Sequence, residues 1–272
     1  MNEKTINDYI ILEDIGIHTG KKSKVKLIPK YTYGISFLFK SCEIPLNIYN
    51  IRDTFLSTKI GNSDFMIYTI EHLLSVLNIF NITNLYIEIL EGNEIPIFDG
   101  CAYYIFNKIK DIGIRVLKNI FYIKYLCDKT SFKFKQSLYH FKKKDNTSIN
   151  CIFSNQSYNE MMTPTIYLNE ISKSKTFCSF DDINKIKLMG YGNGGNQTNT
   201  IVYHENKILT NNQTYDNEFV RHKILDFLGD LYILNFPIVG HFDVNNPNHT
   251  ANVEFVKHLN QYVVKNENFI LS

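Results

Sequence analysis

The stretch NEFVRHKILDFLGD, residues 217 to 230, spaces Phe219, Ile224, Leu225, Phe227 and Leu228 as a helix would, and sets His222, Lys223, Asp226 and Asp230 among them. At 3.6 residues per turn, His222, Asp226 and Asp230 follow one another at i, i+4 and i+8, so their side chains project along one face. Two readings fit. One is a capped amphipathic helix with a solvated acidic stripe; the other is a helix offering imidazole and carboxylate to a cation. The second reading needs further ligands from elsewhere in the chain.

Working outward, the 272 residues exceed the roughly 100 to 200 of one ordinary domain, so two are expected. Hydrophobic residues at 44% and charged residues at 21% supply a core and argue against disorder. A formal net charge of +2 is too balanced to predict nucleic-acid binding. The five cysteines are widely spaced without a C-x-x-C, which favours neither a disulfide framework nor a thiolate zinc knuckle and suits a reducing compartment. MNEKTINDYIILEDIG lacks a signal or transit pattern, and no apolar run nears the roughly 20 residues that span a bilayer. The expectation is a soluble cytoplasmic chain acting as a monomer.

Short β-rich runs between Tyr9 and Phe39 read as antiparallel strands, broken by turn signals at Thr19-Gly20 and Pro29. From Thr69, a candidate N-cap, a helical pattern runs through Leu77, followed by the strand NLYIEIL and another helix at about 101 to 112. After Gly113 strand character returns, with a hairpin around Lys144-Asp145-Asn146, then the Gly/Asn-rich turn GYGNGGNQTN and the helix around His222. Each half places strands first and helices later. The reading is α+β, with one domain over 1–116 and a similar one over 117–272.

A catalytic zinc site uses three protein ligands and keeps one position open. His222 and Asp226 offer two, and the dipeptide Glu71-His72 offers a third with a base beside it. Adjacent helical residues diverge by about 100°, which lets His72 ligate while Glu71 reaches the attacking water. A Glu-His pair at a helix start is also commonplace, so the dipeptide alone decides nothing.

The motifs T-I-E-H-L-L-S, N-L-Y-I-E-I with E-I-P-I-F-D-G, K-T-F, and F-V-R-H-K-I-L-D-F-L-G-D-L-Y followed by I-V-G-H-F and His249 resemble, in this order, the UDP-3-O-acyl-N-acetylglucosamine deacetylases. The resemblance runs from I-G-I-H-T-G at residues 15 to 20 nearly to the end of the chain. It implies two α/β domains with helices sandwiched between two sheets, and zinc-dependent removal of an N-acetyl group from a UDP-linked acylated amino sugar, the committed step of lipid A synthesis. It implies His72, His222 and Asp226 as ligands of one Zn2+, a set that Fe2+ also suits. It further implies Glu71 as general base, His249 as electrophile or general acid, Asp230 as the carboxylate that orients His249, and Thr176 as a group polarising the acyl carbonyl. Lys223 would contact substrate, Phe153 would lie near the uracil, Phe177 would belong to an acyl-chain passage, and Lys129 or Lys135 would meet the phosphates. The apolar run Phe177, Phe180, Ile183, Ile186, Leu188 and Met189 reads equally as a helix core face.

The chain departs from the family pattern in places. Ser174-Lys175-Thr176-Phe177 stands for A-R-T-F, Thr198 replaces an acidic residue of the Gly-rich motif, and Asn246-Pro247-Asn248-His249 stands for K-S-G-H, losing a lysine. These changes leave room for another acylated amino-sugar nucleotide as substrate. A metal-stabilised binding protein without catalysis is the other alternative. His140, His204 and His258 sit in polar stretches and read as surface, while His18 and His241, each beside Gly, read as packing or supporting groups.

Overall fold

In a computed structural model, which describes residues 1–205 and 207–266, the early β-rich runs form β1 (Ile10–Ile15), β2 (Lys22–Pro29), β3 (Gly34–Phe39) and β4 (Cys42–Pro45). Helix α1 (Glu71–Phe80) then carries the chain across to β5 (Asn84–Glu91), which enters the middle of the sheet. The order is β1-β2-β5-β3-β4, with β5 parallel to β3 and every other pair antiparallel. Helix α2 (Tyr103–Ile112) follows.

The second half repeats this plan. Strands β6 (Lys129–Phe134), β7 (Ser137–Lys143), β8 (Ser148–Phe153) and β9 (Gln156–Met161) precede helix α3 (Glu218–Leu231), and β10 (Gly240–Asn245) enters the middle before helix α4 (His249–Asn260). The order β6-β7-β10-β8-β9, with β10 parallel to β8, matches the first sheet strand for strand. Each half also carries an insert with three short strands ahead of its long central helix, α1 or α3. These are Ile51–Asp53, Lys59–Gly61 and Met66–Ile67 in one, and Thr176–Ser179, Thr200–His204 and Lys207–Ile208 in the other. The two halves therefore bring α1 and α3, each trailing its insert, to one place. A single core joins both sheets to the helices between them, with Leu12, Phe37 and Ile87 from one sheet, Phe141 and Phe242 from the other, and Leu73, Leu77, Ile224 and Leu228 from α1 and α3.

Two local expectations change. Thr69 does not cap α1: it takes a left-handed φ of 59°, and its hydroxyl donates to Glu94 Oε1 at 2.8 Å. The buried Glu94 carboxylate also accepts the backbone N–H groups of His18 and Thr19, so it ties the I-G-I-H-T-G turn to the start of the helix. The run from Phe177 to Met189 is not a core face. It forms a short strand, a turn and the helix Ile183–Leu188, with Phe180, Leu188 and Met189 exposed.

At the crossing of α1 and α3, Gly229 permits the close approach. A Cβ there would lie 2.0 Å from the backbone oxygen of Glu71. Helix backbone cannot move aside as a flexible side chain can, so Gly229→Ala is expected to destabilise the fold by about 1–3 kcal/mol, the usual cost of overpacking. The denaturation midpoint measures this. An unchanged midpoint would mean that the crossing yields to a methyl group.

Candidate active site

The first turn of α1 carries Glu71 and His72 into the crossing, and the apolar residues of α3 that pack against both halves turn His222, Asp226 and Asp230 toward them. All five are buried, as is His249 at the start of α4. Asn248 caps α4 by accepting the N–H of Ala251, which fixes where His249 emerges. A cavity of about 340 Å³ opens on this cluster, with Glu71, His72, Thr176, His222, Asp226 and His249 in its wall.

His72, His222 and Asp226 present their ligand atoms within 4.8 Å of one another. Asp226 Oδ1 lies 3.4 Å from His222 Nε2 and 3.8 Å from His72 Nε2. It is buried without a hydrogen-bond partner, although burying a carboxylate oxygen unpaired is costly. His222 Nδ1 donates to the Ser174 carbonyl at 3.1 Å, which leaves Nε2 with a lone pair facing the cluster. Burial lowers the pKa of both histidines, that of His72 to about 3, so both are neutral donors. For Asp226 burial acts the other way, but His222, Lys223, His249 and His72 outweigh it and hold the carboxyl below the usual carboxylate range. Two neutral imidazoles and an ionised carboxylate with one oxygen unpartnered fit a divalent metal.

Glu71 faces the same space. Its Oε2 accepts the Thr58 N–H at 3.0 Å, and Oε1 stands 3.8 Å from His249 Nε2. Burial raises its pKa to about 8, with His249 opposing and Asp230 and Asp226 adding to the rise. His249 Nδ1 donates to Asp230 Oδ2 at 3.0 Å. Burial disfavours the imidazolium, yet Asp230, Asp226 and Glu71 overcome that and raise its pKa to about 9. Asp230 also accepts Asn252 Nδ2 at 2.8 Å and the Thr58 hydroxyl at 2.5 Å, so the buried carboxylate is fully partnered.

Lys223 Nζ sits 3.0 Å from Asp226 Oδ2, within 5.7 Å of the Phe153 ring centre and 5.2 Å of that of Phe177. Phe177 also meets His222 edge-on at 5.8 Å. A second, largely apolar cavity of about 390 Å³ adjoins the first; both share Ile17, His18, Leu56, Thr176 and Phe177, and Ile183 and Ile186 extend the second. Lys129 is not brought to the cluster: it is exposed on the sheet edge and lines neither cavity. Asn246 likewise lies outside both walls, in a left-handed turn at φ 53°. His18, read from the sequence as a packing or supporting group, lines both cavities, and His241 bonds Ser148 on the second sheet.

Two contributors escaped the sequence reading. Thr58 and Asn252 touch Glu71 or Asp230, but neither belongs to a motif with chemical spacing, and no local pattern marks them.

The model of the UDP-3-O-acyl N-acetylglycosamine deacetylase family matches residues 3–261. Among similar curated proteins, the UDP-3-O-acyl-N-acetylglucosamine deacetylases of Thermodesulfovibrio yellowstonii and Aquifex aeolicus are each 33% identical over 94% of this chain, covering 91% and 92% of their own lengths. That of Helicobacter pylori strain 26695 is 33% identical over 94% of the chain and 90% of its own length. No helix among the described residues is long and apolar enough to cross a membrane. With a buried two-histidine, one-aspartate cluster at the crossing of two repeated halves and this likeness over nearly its full length, the chain belongs to the UDP-3-O-acyl N-acetylglycosamine deacetylase family.

Proposed function

We propose that the protein hydrolyses the N-acetyl amide of UDP-3-O-acyl-N-acetylglucosamine, releasing acetate and a free amine in the committed step of lipid A biosynthesis. The observation that carries this reading is the convergence of His72, His222, Asp226, Glu71 and His249 on one buried cavity that adjoins an apolar one. His72, His222 and Asp226 would hold the metal, Zn2+ by preference of the donor set, with Fe2+ also suited to it. Such an ion supplies Lewis-acid chemistry, acidifying water and polarising the acyl oxygen.

The chain's own groups divide the remaining work. Glu71 removes the proton of the attacking water through Oε1, since Oε2 is engaged by Thr58. The Thr176 hydroxyl, in the cavity wall, stabilises the oxyanion as the tetrahedral centre forms. His249, held at Nδ1 by Asp230, presents Nε2 and gives its proton to the departing nitrogen as the C–N bond breaks. Lys223 contacts the substrate between Phe153 and Phe177, and the apolar cavity beyond Phe177 takes the 3-O-acyl chain. One chain supplies every group, which suits a monomer, and five free cysteines suit the cytoplasm.

The test is acetate release from the sugar nucleotide by purified protein, with and without chelator and with zinc restored. Release that chelation stops and zinc restores is expected. No acetate from metal-loaded protein overturns the reading, and release only from a different acylated amino-sugar nucleotide reassigns the substrate.

The raised pKa of His249 also has a kinetic consequence. The acid form is the active one, so activity should fall as pH rises through its raised pKa, which a bound metal ion draws down from about 9. His249→Ala is expected to flatten this alkaline limb while lowering kcat roughly a hundredfold or more. A limb that survives the substitution assigns it to another group.

A further inference from the structure

We propose that Thr58 is a positioning residue that locks the proton-accepting and proton-donating sides of the reaction into one register, an inference that rests on the deacetylase reading above. Thr58 is fully buried and contacts both sides. Its backbone N–H donates to Glu71 Oε2 at 3.0 Å, which occupies that oxygen and leaves Oε1 for the cavity. Its hydroxyl donates to Asp230 Oδ1 at 2.5 Å. Asp230 Oδ2 is thereby left to His249 Nδ1 and Asn252, and the carboxylate cannot rotate without breaking a buried hydrogen bond.

The same hydroxyl oxygen lies 3.3 Å from His249 Nδ1. With its proton committed to Asp230, it turns a lone pair toward that nitrogen. Two acceptors, Asp230 Oδ2 and Thr58 Oγ1, then face Nδ1, so Nδ1 carries hydrogen and Nε2 is the atom shown to the reacting centre. Only a residue with a hydroxyl on Cβ does all three things from this position.

The surrounding turn is built to hold Thr58 still. Leu56, two residues before it, takes a left-handed φ of 63°. The next residue, Lys59, is buried with its ammonium paired to Asp53 and donating to the Phe55 carbonyl at 2.7 Å. Thr54 Oγ1 pairs with Thr250 Oγ1 at 2.8 Å, joining the same turn to the first residues of α4 beside His249. Burying a lysine to fix a turn is costly, and within that turn it is Thr58 whose polar contacts go to Glu71, Asp230 and His249.

The experiment is steady-state acetate release by zinc-loaded wild type, Thr58→Val, Thr58→Ser, Asp230→Asn and the Thr58→Val/Asp230→Asn pair, with bound zinc measured for each. Valine keeps the backbone N–H and the shape but removes the hydroxyl. Its kcat is expected to fall roughly ten- to a hundredfold, the range for losing a hydrogen bond to a charged group, with KM within about twofold and zinc content unchanged. Thr58→Ser should stay within about threefold of wild type. The double variant should be scarcely slower than Asp230→Asn alone, because the hydroxyl acts through that carboxylate. Wild-type kcat in Thr58→Val, an effect confined to KM, a serine variant as slow as valine, or losses that multiply in the double variant would each overturn the assignment. If Thr58→Val does not fold, Thr58→Ala, which also keeps the backbone N–H and lacks the hydroxyl, and its combination with Asp230→Asn decide by the same outcomes. A wild type that releases no acetate would count against the function itself and not against the role of Thr58.

Discussion

Glu71→Gln is expected to lower acetate release by roughly a hundred- to ten-thousandfold, the range for losing a positioned general base, while the protein keeps its metal. Glutamine is isosteric and still accepts the Thr58 N–H, so the start of α1 and the position of His72 should stand. What is lost is the basic oxygen that points into the cavity. The sign of the pKa shift sharpens the test. Burial raises Glu71 to about 8 even with His249 opposing, so without a metal ion the carboxyl would hold its proton at neutral pH and could not act. A divalent ion on His72, His222 and Asp226 favours the ionised form, which makes base strength depend on metal occupancy. Activity should therefore be lost as pH falls through the pKa of Glu71, and this acid limb should disappear from the residual rate of Glu71→Gln. Metal analysis and pH–rate profiles read both. A glutamine variant hydrolysing near the wild-type rate would remove Glu71 from the chemistry.

The helix from Glu218 to Leu231 was legible because its apolar residues recur at helical spacing around polar ones that such a face would otherwise exclude. The echo of strands before helices was visible too, though the match in strand order was not, since β5 and β10 reach the middle of their sheets by long crossovers that leave no periodic mark. Thr69 looked like a cap because threonine before a helix usually is one. Here Glu94, 25 residues away in sequence, competes for its hydroxyl. The run after Phe177 had a core-like composition, yet exposure of Phe180 and Leu188 is decided by the insert standing off the second sheet. Lys129 or Lys135 was offered to the phosphates by the family resemblance, and nothing in its own strand said that Lys129 would line neither cavity. Thr58 was hidden for the same reason: its partners lie 13 and 172 residues onward.

Two overlapping trios compete for a metal, His72, His222 and Asp226 on one side and Glu71, Asp226 and His249 on the other, with Asp226 common to both. Distances alone do not separate them, because each set lies within 4.8 Å. Protonation does. A ligating imidazole needs a free lone pair, and burial keeps His72 neutral down to about 3, whereas the three carboxylates around His249 outweigh its burial and keep it protonated up to about 9. At neutral pH, a metal on the second trio would have to displace a proton from a group that Asp230 holds in the cationic form. The second trio is therefore at a disadvantage on the order of 1.4 kcal/mol for every pH unit below that pKa. His222→Ala and Asp226→Ala are both expected to weaken metal binding by more than about a hundredfold, beyond the usual effect of losing an outer-shell partner. Each should also lose the rise in melting temperature that added zinc gives the wild type. His249→Ala should keep both the metal and that rise, although its turnover is impaired. Dialysis against graded zinc buffers followed by metal analysis checks all three, and loss of zinc from His249→Ala together with retention in His222→Ala would move the metal to the other trio.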